Sequence, residues 1–88
     1  MRQYLFPAIF VEEDDRYVAL VPDLGIAIDG DNIEEAYIFA KNSLKVYCNY
    51  VENFDLEMPM PSKYEKILEK NPHTLVMLLD CVITPKKS

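Results

Sequence analysis

Glycine is nearly absent from this chain of 88 residues, with Gly25 and Gly30 the two present, so no glycine-rich phosphate cradle can be built and no nucleotide site is expected. Histidine is limited to His73, which follows Pro72 at a loop-to-strand junction with no base or nucleophile near it in sequence; an inert, exposed side chain is expected. Ser43 and Ser62 lack the strand–turn–helix context of a nucleophile elbow. Long hydrophobic runs are missing too. The longest, around Tyr4 to Val11 and Leu75 to Leu79, fall far short of the roughly twenty residues that a membrane-spanning helix needs. With no signal-peptide pattern either, a soluble, cytoplasmic protein is expected. Cysteine is represented by Cys48 and Cys81, without metal-ligand or redox-motif spacing and on apolar segments. Reduced, buried, packing thiols are the expectation, with a disulfide left open.

Positive charge is scarce as well: nine Lys and Arg stand against fifteen Asp and Glu, a net charge of -6. Such a field repels a phosphate backbone and favours a basic partner over a nucleic acid, although mild acidity also serves solubility alone. What is present in quantity is apolar surface, 50% of the residues, which with this length supports one domain with one modest core.

Tyr4 to Val11 and Tyr17 to Val21 are rich in aromatic and branched residues and flank the polar run from Glu12 to Arg16, the pattern of two strands joined by an acidic turn. Pro7 inside the first run predicts an edge strand or a bulge. Leu24 to Ile28 reads as a third short strand of a meander that ends at Gly30, where a positive φ would serve a turn. Asp31 is placed to cap a helix, with Glu34 three residues on to complete a capping box. From there Ile33, Ala36, Tyr37, Ala40, Leu44, Tyr47 and Val51 recur in steps of three and four along one helical face, and Glu34, Glu35, Lys41, Lys45 and Asn49 occupy the other. Asn53 to Ser62, with Pro59 and Pro61, reads as extended and irregular. Ser62 is placed to cap a short helix through Ile67 and Leu68, ended by Asn71 and Pro72. His73 to Ile83 reads as a last strand buried on both faces and paired inside the sheet. The expected architecture is α+β: a small antiparallel sheet of three meander strands plus a fourth C-terminal strand, with one long and one short helix packed on it. It spans residues 1–84, and 85–88 form a frayed tail.

Among the carboxylates, Asp14, Asp15, Asp29, Asp31 and Glu34 already have uses in turns and caps, so clustered oxygen ligands for a metal are not expected. Asp80 interrupts an apolar run and needs either a surface position or a Lys or Arg partner; a catalytic carboxylate, with Asp23 or Asp29 as a second metal ligand, is the minority alternative.

The order of these parts, Pro22-Asp23-Leu24-Gly25, Gly30-Asp31, Glu34-Glu35-Ala36 and then Met58-Pro59-Met60-Pro61-Ser62, resembles the HicB antitoxin family over most of the chain. That family typically has a proline between the residues matching Leu24 and Gly25, so this turn is one residue shorter. The resemblance implies a partial ribonuclease H-like fold without enzymatic activity or a cofactor. It further implies a binding protein that neutralises a small basic HicA-type mRNA-cleaving toxin by covering its active surface, with a homo-oligomer expected. Many family members continue into an operator-binding segment, and direct DNA binding is doubtful for a chain that stops at Ser88. The acidic turn residues Glu12, Glu13, Asp14, Asp15, Asp23 and Asp29 are the candidates for steering such a partner. The competing reading is a homo-oligomeric scaffold or regulatory domain without a toxin partner.

Overall fold

A computed structural model describes residues 2–83. The chain runs β1 (Arg2–Glu13), β2 (Arg16–Val21), a 3-10 turn (Pro22–Leu24), β3 (Ile26–Gly30), α1 (Ile33–Asn53), α2 (Tyr64–Lys70) and β4 (Leu75–Ile83). The four strands make one antiparallel sheet in the order β3-β2-β1-β4. This is the α+β architecture read from the sequence. The tail expected over 85–88, like residues 1 and 84, lies outside the described residues.

Alternation along the strands divides the core in two. Phe6, Ala8 and Phe10 of β1, Ala19 and Val21 of β2, and Leu79 and Cys81 of β4 point to one face and pack against Ala36, Ala40, Leu44 and Cys48 of α1. The small side chains Ala36 and Ala40, both fully buried, let the helix lie close to the sheet. Ile9 and Val76 point to the other face, where Ile67 of α2 meets them. The two helices therefore sandwich the sheet, but α2 is short and covers only part of its side. Leu5, Leu78 and Val82 remain exposed there.

Several local expectations shift. β1 is a central strand rather than an edge, and Pro7 is fully buried within it. Continuing the β1–β2 register past Ile9↔Leu20 sets Pro7 against Pro22, where β2 has already turned away, so the missing donor of Pro7 faces no ladder on that side. β4 is an edge strand, not an interior one: Leu79 and Cys81 are buried on the α1 face, while on the other face Val76 is buried beside Ile67 and Leu78, Asp80 and Val82 are exposed. The third strand starts at Ile26 because Pro22 to Leu24 coil into the 3-10 turn, closed by Gly25 at φ 66°. The left-handed glycine is thus Gly25. Gly30 is needed for space instead, because a Cβ there would sit 2.5 Å from the Ala36 backbone nitrogen, and the absence of a side chain lets β3 end against the first turn of α1.

The helix cap is displaced by one residue from the expected pair. Asn32 is the N-cap of α1 and its Oδ1 accepts from the Glu35 amide at 2.8 Å, while Glu35 Oε1 accepts from the Asp31 amide at 3.1 Å. α2 starts after Lys63 without a side-chain cap. Cys48 and Cys81 also depart from the expected free thiols: the fold brings α1 onto β4 with their Cα atoms 6.4 Å apart, and the two form a disulfide.

Gly30→Ala is expected to destabilise the fold by about 1–3 kcal/mol, since its methyl group meets fixed backbone that cannot repack. Urea unfolding of the two proteins measures the difference, and a loss below a few tenths of a kcal/mol would show that α1 is free to move away.

Candidate partner-binding surfaces

The acidic candidates separate into two places. Glu12 and Glu13 end β1, and Asp14 and Asp15 form the two-residue turn to β2, both at positive φ (49° and 66°) as a type I′ hairpin requires. All four are exposed. Strand pairing sets Val18 opposite Asp29 and Tyr17 opposite Gly30, which brings Asp29 to the same end of the sheet. There Arg16 reaches both Asp29 (3.5 Å) and Asp31 (3.4 Å). These exposed pairs add little stability, but they offset part of the local negative charge. Glu12 also acts on its cross-strand partner: its carboxylate raises the Tyr17 hydroxyl above the ordinary tyrosine pKa, with burial and a hydrogen bond to Glu12 adding to the shift.

Asp23 stands apart from this end. It sits in the 3-10 turn, and its carboxylate accepts from the Ser62 amide (2.8 Å) and the Ser62 hydroxyl (2.5 Å). The residue read as a cap for α2 is thus bound by a residue read as a partner contact, 39 positions away in sequence. The clamp fixes the segment that carries the chain from α1, on one face, to α2 on the other. Asp80 on β4 lies 4.0 Å from Lys41 Nζ, and both side chains are about half exposed, which meets the requirement for a Lys partner near the surface. Asp29 and Asp80 lie on opposite edge strands, three inter-strand steps or about 14 Å apart, too far to share a cation. Among the described residues no group of three or more His, Cys, Asp or Glu is placed to hold a metal ion.

Two surface hollows were not legible as sites in the sequence. One lies beside the free edge of β3, between Ile26 and Ile28 on the strand and Val46, Tyr47 and Tyr50 on α1. Its walls are apolar, and Val46 and Tyr50 are 68% and 53% exposed. These residues, with Phe39 and Phe54, form a second apolar stripe along α1 next to the one that faces the core; only steps of three and four from Phe39 through Ser43 could have disclosed it. The other hollow lies at the opposite end of β1 from the acidic hairpin, where Arg2 and Tyr4 face the end of α1 and the segment after it.

No protein-family model and no curated protein matches the sequence. Among solved structures, the chain is similar to the crystal structure of the Burkholderia pseudomallei antitoxin HicB, with a TM-score of 0.77 and 15% sequence identity. The superposition covers 97% of this chain and 70% of that one. The chain therefore has a HicB-like α+β fold.

Two outcomes follow from these contacts. Asp23→Ala is expected to cost about 1.5–3 kcal/mol, the range for hydrogen bonds to a charged acceptor, and to speed proteolysis within residues 54–63; unchanged unfolding and cleavage would show the clamp to be idle. Glu12→Gln is expected to lower the Tyr17 titration midpoint toward the ordinary value, read by ultraviolet difference titration. Because the native state holds the Tyr17 proton more tightly than the unfolded chain, its contribution to stability is lost as pH rises from the ordinary tyrosine value through the native one.

Proposed function

We propose that this protein is an antitoxin-like binding protein that neutralises a small basic, RNA-cleaving toxin of the HicA type by covering its active surface. The observation that carries the reading is the likeness in fold to the HicB antitoxin over nearly the whole chain. The net charge of -6 supports it, because a surface of this sign attracts a basic ribonuclease and repels the RNA that such an enzyme acts on. The exposed hairpin carboxylates Glu12, Glu13, Asp14 and Asp15, with Asp29 behind them, provide steering charge at one end of the molecule. In this reading the protein has no catalytic activity of its own and works in the cytoplasm.

A second reading, a homo-oligomeric scaffold, draws on the β3 edge. Its backbone groups, unpaired among the described residues, and the apolar hollow beside it, with Val46 and Tyr50 exposed, offer a strand-to-strand seam to another copy.

Co-expression with the product of the adjacent small open reading frame, co-purification and an RNA-cleavage assay separate the two. The antitoxin reading expects a stable complex in which cleavage is suppressed. A protein that self-associates, leaves the neighbour uncaptured and does not alter its cleavage would overturn it in favour of the scaffold.

A further inference from the structure

We infer that the cleft between the start of β1 and the segment 55–60 is a docking site for a cationic segment of a protein partner, one that also inserts an apolar anchor side chain. The cleft measures about 660 Å³, within the range of concave sites that take a ligand-sized group, such as several side chains of a partner segment, rather than a flat surface. Among the described residues, three carboxylates, Glu52, Asp55 and Glu57, and one cation, Arg2, line it. The end of α1 adds to this field. The last turn of α1 carries no basic residue, so the negative pole of the helix dipole is not offset from within the helix. Charge complementarity therefore selects a positively charged occupant and disfavours nucleic acid.

The anchor follows from the apolar part of the lining. Tyr4 and Met58 are half-buried, whereas Leu56 and Met60 are 48% and 86% exposed. Methionine side chains adapt to differently shaped apolar partners, and their exposure at the mouth of an acidic cleft fits an occupant of mixed character. The wall that carries them is held by the Asp23–Ser62 clamp and by the Leu56 amide donating to the Val51 carbonyl at 2.9 Å. It is thus set before a partner arrives. The site is distinct from the acidic hairpin: β1 separates the two by roughly 30 Å of extended strand. A toxin that met both would be held at two points. The assignment rests on the antitoxin reading for the identity of the partner alone.

The test uses a short synthetic peptide of lysines and leucines, its lysine-acetylated counterpart as the neutral control, and the full chain. Amide shift mapping is expected to place the lysine peptide against Tyr4 and residues 55–60, with binding weakened by salt and absent for the acetylated form. Asp55→Asn with Glu57→Gln, both on exposed positions, should weaken it about three- to tenfold, as two exposed ion pairs would. Met60→Ser should weaken it while leaving the salt dependence intact, and Asp14→Asn with Asp15→Asn should change nothing at this site. Shifts confined to the hairpin, or full affinity in the Asp55/Glu57 variant, would overturn the assignment. The two proposals fail separately. Peptide binding in the cleft without capture of the neighbouring gene product sinks the antitoxin reading alone, and undiminished toxin capture by the Asp55/Glu57 variant sinks the cleft alone.

Discussion

The contact between Gly30 and Ala36 fixes the geometry on which the remaining structure depends. β3 ends and α1 begins with backbone against backbone, and the space for a Cβ is filled by the Ala36 amide and its neighbours. From that point the helix is aimed across one face of the sheet. Ala36 and Ala40 keep it close, Leu44 fills the middle of the core, and Cys48 and Val51 are buried near its far end. Because the helix occupies that face for its whole length, later elements must either pack on the other side or extend an edge. The chain does both, with α2 on the second face and β4 alongside β1.

The crossing from one face to the other is where an acidic side chain serves structure. A segment with Pro59 and Pro61 cannot hold itself through a regular backbone ladder, and Asp23 supplies two acceptor positions to Ser62 in place of one. The sequence stretches that resemble an antitoxin family are the partners in these joints: Asp23 with Ser62, Gly30 with Ala36, Asp31 with Glu35. Their spacing along the chain makes physical sense as the spacing of contacts that the fold must close. A resemblance resting on them speaks first about architecture.

Negative charge is distributed toward the two ends of β1 rather than spread evenly. At the hairpin end Arg16 lies between Asp29 and Asp31, and the remaining carboxylates face water. At the other end the dipole of α1 and three carboxylates share one hollow with apolar side chains. The first arrangement acts at long range, through a field that guides an approaching cation; the second combines charge with apolar contact at short range. A binding protein can use both, for encounter and for retention respectively.

Element type and order were legible in the amino-acid sequence, because they rest on local quantities. The stripe from Ile33 to Val51 has a helical period, the aromatic and branched runs have strand character, and Asp14-Asp15 breaks them where a hairpin must turn. What the sequence left open was set by neighbours distant along the chain. Pro7 is tolerated in a central strand because β2 has ended at its level, and β4 is an edge because nothing pairs beyond it among the described residues. Cys48 meets Cys81 because α1 packs on β4, and Asp23 belongs to Ser62 because the linker passes the β2–β3 turn. The cleft at the end of α1 was likewise invisible, since Glu52-Asn53-Phe54-Asp55-Leu56-Glu57 reads as an irregular polar stretch until β1 is laid opposite it. Periodicity and turn chemistry act over a few residues and so are written in the sequence. Strand order, charge partners and hollows depend on which surfaces meet, and only the packed chain decides that.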